Sequence, residues 1–338
     1  MPYQVTLKNS DHQFQVAEHE TILDAALREK GSVLPYGCRN GTCGSCMGTI
    51  LSGEVAYPDG RPPALSESEQ AEGKALLCQA RPHSDLVIDA REVKGGADIA
   101  VKILPCRVER RELLAPDVMR LYLKPPNTER LQFLAGQYVD ILLADGRRRG
   151  FSLANAPHAD ELLELHVRHV PGGFFTDYVF DKMKDKALLR FQGPLGTFFL
   201  REDAPRPIIL MGGGTGFAPL KGMLEHAFHI GLDRPLHLYW GARAKVDLYL
   251  DALPRQWAAE HPNFHYTPVL SEPRPEDDWT GRTGWVYEAV VADYPDLSGH
   301  DVYMSGPPPM IEAAKPAFAA RGLPAEQLFY DSFEFSAR

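Results

Sequence analysis

The 338-residue sequence predicts three domains of different class in series: a small α+β domain, an antiparallel β-barrel and an α/β domain. Three observations predict this. Near the N-terminus a hairpin pattern and one short helix precede a cysteine cluster. Residues 99–199 run as short apolar segments parted by Gly and Pro, and beyond Pro205 strand and helix patterns alternate. A chain of this length outgrows one core, and with 44% hydrophobic residues it can build one in each part.

In the first segment Tyr3, Val5, Leu7, Phe14 and Val16 alternate around Asn9-Ser10-Asp11, which reads as a hairpin. A helix follows. Thr21 with Asp24 three residues on has the form of a capping box, Leu23, Ala26 and Leu27 supply an apolar face, and Gly31 is the stop. Residues 52–63 are turn-rich, 86–88 read as a strand, and the polar stretch 91–97 with its Gly pair reads as a linker. The barrel segment has one expected helix, 176–184. In the last segment a strand over 208–211 precedes a helix over 219–229, where Leu220, Met223, Leu224, Ala227 and Phe228 recur at helical spacing. Residues 236–240 and 302–304 are further strands. The expected domain bounds are 1–92, 99–203 and 204–338.

A net charge of -9 without a basic run speaks against nucleic acid and anionic membrane as partners. The N-terminus lacks an apolar signal region and no window approaches eighteen apolar residues, so a cytoplasmic protein, a monomer, is expected. Five cysteines, an odd number, do not resemble a secreted disulfide framework. Cys38, Cys43 and Cys46 have the spacing C-x4-C-x2-C, and with Cys78 downstream this is the plant-type [2Fe-2S] pattern. Gly37, Gly41 and Gly44 let the backbone wrap closely and aim N–H groups at sulfur. A structural zinc site or unliganded core thiols are the alternatives, but zinc usually takes two C-x2-C knuckles, which are absent here. Cys106, far from the cluster, reads as a packing residue.

Two further stretches suggest phosphate binding. Arg149-Gly150-Phe151-Ser152 offers a cation, an aromatic and a hydroxyl, and Gly172-Gly173 leads into a helix that can present N–H groups to an anion. By themselves, a charged barrel rim and an ordinary turn account for them equally well. His166 and Arg168 precede the glycine pair as further candidates for dinucleotide contact, with exposed strand residues of no special role as the alternative. Met211-Gly212-Gly213-Gly214-Thr215-Gly216-Phe217-Ala218-Pro219 lies between a strand and a helix, where a glycine loop brings phosphate close to the backbone. Phe217 breaks the Gly-x-Gly-x-x-Gly fingerprint, and Pro219 suits a first helical turn.

Together these motifs resemble the ferredoxin-NADP reductase superfamily over essentially the whole chain. Arg149-x-Phe151-Ser152 resembles its Arg-x-Tyr-Ser flavin motif, with Phe for Tyr. Gly193-Pro194-Leu195-Gly196 resembles its barrel-end turn, and 212–219 its nicotinamide loop. Ser305-Gly306-Pro307-Pro308-Pro309-Met310 resembles its Cys-Gly-Pro-Pro-x-Met, with Ser for Cys. The resemblance implies a β-grasp ferredoxin domain holding a [2Fe-2S] cluster, an FAD-binding β-barrel and an NAD(P)-binding α/β domain. It also implies roles. Arg149 neutralises the FAD pyrophosphate, Phe151 lines the ribityl and ring region, Ser152 stands near flavin N5, and Gly173 and Thr176 complete the pyrophosphate cradle. Gly212, Gly213, Gly214, Thr215, Gly216 and Pro219, with Gly306 and Pro307, hold the nicotinamide dinucleotide, and Ser305 stands beside its ring. Phe333, in the C-terminal Phe329-Tyr330-Asp331-Ser332-Phe333, covers the flavin face; its alternative is an ordinary packing residue.

NADH is the expected donor and NADPH the alternative: no Asp or Glu closes 236–240, and Arg243 can meet a 2′-phosphate or be a solvated charge. A nicotinamide delivers two electrons as hydride and a [2Fe-2S] centre carries one, so a flavin belongs between them. The implied activity is electron transfer from NAD(P)H through FAD and the cluster to a separate acceptor protein, with positioning supplying most of the catalysis. Within the superfamily the chain is most like oxygenase reductases and CDP-6-deoxy-glucoseen reductases; the latter share the 193–202 stretch in close form. The expected acceptor is an oxygenase, alternatively a dehydratase of a nucleotide-linked sugar. A non-catalytic iron-sulfur sensor is a third reading, opposed by the intact glycine loop.

Overall fold

The computed structural model of the chain describes residues 2–28, 34–93 and 99–333. It divides into two compact units, Met1–Ala100 with Gly196–Phe198, and Val101–Leu195 with Phe199–Arg338.

In the first unit β1 (Tyr3–Leu7) and β2 (Gln13–Val16) form the expected hairpin, with Val5, Leu7, Phe14 and Val16 buried. Helix α1 (Ile22–Arg28) follows. The Thr21 hydroxyl accepts from the Asp24 amide at 3.1 Å, whereas the Asp24 carboxylate is taken by Arg39 at 2.8 Å. The expected stop Gly31 and residues 94–97 of the expected linker lie outside the described residues. Then come β3 (Met47–Ser52), β4 (Val55–Ala56), α2 (Glu67–Ala71), β5 (Lys74–Leu76), β6 (Arg81–Pro82) and β7 (Leu86–Asp89). The main sheet is mixed, in the order β2-β1-β7-β3-β5, and β4 pairs with β6.

The second unit opens with an antiparallel sheet built from β8 (Lys102–Ala115), β9 (Val118–Lys124), β10 (Tyr138–Leu142), β11 (Arg148–Ser152), β12 (Leu163–Arg168) and β13 (Leu188–Leu195). Its order is β11-β10-β13-β8-β9-β12, and an antiparallel bridge between Leu153 and Leu165 links its two ends. Period-two alternation turns Leu104, Cys106 and Val108 of β8 inward onto Leu121, Ile141, Leu165 and Phe191. Cys106 is thus a core thiol, which burial pushes up to about 12. Helix α3 (Phe174–Asp177) starts two residues before the expected 176–184 and widens into one broad turn, Tyr178–Lys182. The early start follows from Gly173 at the N-cap, where no Cβ opposes the bend.

A six-stranded all-parallel sheet completes the unit: β14 (Ile208–Gly213), β15 (Leu236–Ala242), β16 (Phe264–Leu270), β17 (Arg282–Thr283), β18 (Asp301–Gly306) and β19 (Leu328–Ser332), ordered β17-β16-β15-β14-β18-β19. Helices α4 (Phe217–His229), α5 (Ala252–Glu260), α6 (Val286–Asp293) and α7 (Pro308–Ala319) connect the strands. Every residue of β14 and β18 is buried, as expected where helices cover both faces. The chain leaves β14 towards β15 and later returns to β18 on its other side, which makes their carboxyl ends the switch point where ligands bind. Helix α4 begins at Phe217, two residues before the expected 219, because proline is tolerated throughout a first turn.

Candidate functional site

The cysteine loop has a backbone that few residues other than glycine allow. Gly41 and Gly44 lie at φ +79° and +75°, where a Cβ is strained. The loop directs amides at sulfur: Cys38 N–H points at Cys43 Sγ (3.4 Å) and Asn40 N–H at Cys38 Sγ (3.5 Å). Pairing of Met47 with Leu76 across β3 and β5, continued by Leu77 N–H to Cys46 O, carries Cys78 to the loop. The Gln79 amide then donates to Arg39 O at 3.1 Å, tying the two segments together. The four thiols fall into two interacting pairs, Cys38 with Cys43 and Cys46 with Cys78. Within the first pair Cys43 pulls the Cys38 thiol down to about 5 and is itself pushed up; in the second, Cys78 falls and Cys46 rises. One pair of cysteine sulfurs on each side suits a two-iron cluster, in which each iron takes two protein ligands.

In the second unit, Arg149, Phe151 and Ser152 lie on β11 opposite Ile141, Val139 and Tyr138 of β10. The Phe151 ring meets Phe175 of α3 at 5.4 Å, and Arg147 stacks on Phe174 at 4.9 Å, so the Arg-x-Phe-Ser strand and the Gly-Gly turn, distant in sequence, form one surface. Arg149 shares the face of Phe151, which suits a pyrophosphate, whereas Arg148 lies at the opposite parity of β11 and bonds Gln192 at 2.6 Å. Gly173 N–H donates to Val170 O, and the Thr176 hydroxyl has its one proton within reach of both Val170 O (3.0 Å) and Gly173 O (3.2 Å). Thr176 therefore shapes the turn, and a Cβ at Gly173 would crowd Thr176 Oγ1 at 2.5 Å.

The glycine loop packs without room for side chains. A Cβ on Gly216 would overlap the Ser305 carbonyl, and one on Gly213 would lie 2.6 Å from Met310 Sδ. Gly214 lies at φ +54° beside Arg168, and its carbonyl accepts from Trp240 Nε1 at 2.9 Å. Thr215 is buried and Pro219 lies in the first turn of α4, so the 212–216 loop leads straight into that helix N-terminus. Gly306 (φ +141°) and Pro307 form the next wall, between β18 and α7. The Ser305 hydroxyl is fully buried and, among the described residues, has no hydrogen-bond partner. An enclosed orphan hydroxyl is what a ligand-binding position leaves behind, and a loop closed to any Cβ leaves backbone N–H groups for phosphate.

The last strand unites the two halves. Register pairs Ser305 with Asp331 and Gly306 with Ser332, and half-buried Phe333 donates its amide to Gly306 O at 2.9 Å. The Ser152 hydroxyl donates to Asp331 Oδ2 at 3.1 Å. Phe333, Asp331, Ser305 and Ser152 thus belong to one neighbourhood. Asp331 was not singled out from sequence, and no local signal marks it, since its partner is 179 residues away. His166 is not a surface group: its ring is enclosed, Nε2 on Glu164 (2.8 Å) and Nδ1 on the Tyr249 hydroxyl (3.0 Å), and burial lowers its pKa. Arg168 is held by Asp117 at 2.8 Å next to Gly214. Arg243, just beyond β15, is 65% exposed and lies 3.7 Å from Asp247.

Three family models match the chain in order. Residues 5–83 match the 2Fe-2S iron-sulfur cluster binding domain, 105–200 the oxidoreductase FAD-binding domain and 210–316 the oxidoreductase NAD-binding domain. The chain is 42% identical over 313 residues to a CDP-6-deoxy-L-threo-D-glycero-4-hexulose-3-dehydrase reductase of Yersinia pestis, covering 93% of each chain. It is 36% identical over 335 residues to terephthalate 1,2-dioxygenase reductase component 2 of Comamonas sp, covering 98% of each. Among solved structures it resembles the Amycolatopsis cytochrome P450 reductase GcoB, with a TM-score of 0.80, 37% identity and 98% of each chain covered. No helix among the described residues is long and apolar enough to cross a membrane. The chain belongs to the ferredoxin-NADP reductase superfamily, in the group with an N-terminal [2Fe-2S] ferredoxin domain, and is an NAD(P)H-dependent electron-transfer reductase with FAD and [2Fe-2S] as its cofactors.

Proposed function

We propose that this reductase delivers its electrons to a separate acceptor protein, an oxygenase component, and that NADH is its donor. The chemistry that FAD would supply when bound is the conversion of a two-electron hydride into single electrons, the quantity a [2Fe-2S] cluster would carry. The observation that supports this site most strongly is the Ser152–Asp331 hydrogen bond beside the orphan hydroxyl of Ser305. With its proton given to Asp331, Ser152 keeps lone pairs with which to accept from a ring N–H. Ser305 gains a partner when the nicotinamide end lies against it. Phe333, tethered through Gly306, is the cover that must move aside. Arg149, with the first amides of α3, receives the FAD pyrophosphate, Phe151 lines the ring region, and Gly173 and Thr176 set the turn. Residues 212–216, Pro219, Gly306 and Pro307 receive the dinucleotide, and Cys38, Cys43, Cys46 and Cys78 hold the iron. NADH is favoured because Asp247 already offsets the charge of Arg243, the cation a 2′-phosphate would need.

We further assign domain bounds 1–92, 99–203 and 204–338. The mixed sheet with α1 supports a β-grasp first domain, and the Leu153–Leu165 bridge supports closure of the flavin sheet into a barrel. With four cysteines serving as ligands and Cys106 buried in the core, none is left for a disulfide, which suits a cytoplasmic protein, and we take it to be a monomer. A second acceptor, a dehydratase of a nucleotide-linked sugar, is favoured by the 42% identity to a dehydrase reductase. Anaerobic titration with NADH and NADPH, followed by visible absorbance and electron paramagnetic resonance, tests the relay: flavin should bleach and a one-electron cluster signal should grow, with NADH the better donor. Zinc at the four thiols, or no flavin after reconstitution, would overturn the reading. Oxygen consumption with an oxygenase component, against deoxygenated sugar nucleotide with a dehydratase, decides the acceptor.

A further inference from the structure

Helix α4 carries the dinucleotide loop at its N-terminus, and one turn further it presses on the flavin sheet. At that contact Lys221 is only 4% exposed. Its ammonium donates to Ala154 O (3.0 Å) and pairs with Glu164 Oε2 (3.2 Å) and Glu225 Oε1 (2.8 Å), three acceptors for its three protons. The next residue, Gly222, comes so close that a Cβ would lie 2.9 Å from Asn155 O and 3.2 Å from Leu153 O. Residues 153–155 follow Ser152 directly. Behind them, Glu164 also accepts from His166 and lies 3.7 Å from Arg120, and His166 leans on the Tyr249 hydroxyl. Burial would raise the Glu164 pKa, but the His166 hydrogen bond and the Lys221 and Arg120 charges hold it down at about 2.

A well-packed aliphatic side chain at 221 would fill this space at no cost in desolvation, whereas an enclosed ammonium needs every proton matched. What the ion adds is direction: two of its bonds, to Ala154 O and Glu164 Oε2, cross from α4 to the flavin sheet and set the helix's height and rotation, which apolar packing leaves loose, while the third, to Glu225, stays within α4 and holds the ammonium in place. We propose that Lys221 and Gly222 are positioning residues for hydride transfer, locking the helix that presents the nicotinamide loop to the backbone that presents Ser152. This rests on the assignment of FAD to the Ser152 surface and NADH to the 212–216 loop.

The test uses holoenzyme of the wild type, Lys221→Met, Gly222→Ala and the charge-balanced pair Lys221→Met/Glu164→Gln. Stopped-flow reduction by NADH and by 4-deuterated NADH gives the limiting rate, the half-saturation and the isotope effect. Hydrogen exchange of peptides covering 150–160 reports the joint itself. The expected result is a limiting rate about 10- to 100-fold lower in all three variants. FAD content and NADH half-saturation should stay within about twofold of the wild type, the isotope effect should gain temperature dependence, and exchange around Ala154 should quicken. The paired variant should recover thermal stability relative to Lys221→Met and stay slow. Wild-type rates in Gly222→Ala and the paired variant, or losses confined to FAD content or half-saturation, overturn the proposal; if Lys221→Met does not hold FAD, those two variants decide. A wild type that NADH cannot bleach would instead refute the underlying cofactor assignment.

Discussion

Cys38, Cys43 and Cys46 lie within nine residues, and one strand pairing brings Cys78 to them. Ser152, Arg168, Ser305 and Asp331 come instead from four strands, β11, β12, β18 and β19, of two different sheets. The first site is a property of a loop, and the second of how whole elements stack. Damage to the loop should therefore remove one cofactor and leave the rest of the relay working. Damage to the stacked site should leave cofactors bound and change rates.

The widest separation is expected from the ligands. Cys46→Ser removes one thiolate of the Cys46–Cys78 pair, so the [2Fe-2S] absorbance and all delivery to a one-electron protein acceptor should vanish. NADH-dependent reduction of ferricyanide at the flavin should persist. Loss of both activities together would break the contrast. Next comes Gly216→Ala, whose Cβ would overlap the Ser305 carbonyl. Neither backbone can yield without moving β18, so NADH bleaching should fall to near zero while the cluster spectrum stays whole.

The third test concerns stability. His237 on β15 sits between the Tyr294 hydroxyl and Thr267 Oγ1, both at 2.9 Å. Burial, with help from His265, lowers its pKa to about 4. The folded state favours the neutral ring, so stability is complete above the ordinary value near 6.5 and is lost as pH falls towards 4, by about 2–3 kcal/mol. Chemical denaturation of the second unit at pH 7.5 and 4.5 should show this loss, and His237→Gln should remove most of it. The cluster unit, which lacks this histidine, should not share that component.

Asp331→Asn keeps the shape but weakens the charge-assisted bond to Ser152. A loss of about 1.4 kcal/mol in positioning is about tenfold in rate, read as slower flavin reduction at unchanged FAD content. Unchanged reduction would remove Asp331 from the site.

The same contrast explains what sequence made legible. The cysteine loop was legible because its thiols and its glycines lie within one short stretch of chain. The strand, glycine loop and helix around 212–219 were legible as fold because they follow one another in order. Asp331, Lys221 and the Trp240 support of Gly214 were not, since each acts on a residue from another element and nothing in its own neighbourhood betrays the partner. His166 misled for the complementary reason: an imidazole on a strand beside a glycine turn looks available until Tyr249, 83 residues later, covers it. Helix starts were missed by two residues where a glycine N-cap or a tolerated proline, not the apolar pattern, decides the boundary.

The smallest effect sharpens the contrast within the cluster unit. Helix α2 is five residues long and buries none of them, so its termini must hold it. The Ser66 hydroxyl accepts from Glu69 N–H at 3.2 Å, and Glu69 returns a carboxylate to Ser66 N–H at 3.0 Å, a complete capping box. The helix leads through Gly73 into β5, whose pairing with β3 sets Cys78 beside Cys46. Ser66→Ala should therefore cost about 1 kcal/mol and register as cluster bleaching at a lower temperature, while the temperature of flavin release stays where it was. Should both transitions move together, the cysteine loop would depend on the second unit for its stability, and the local character claimed for it would be wrong.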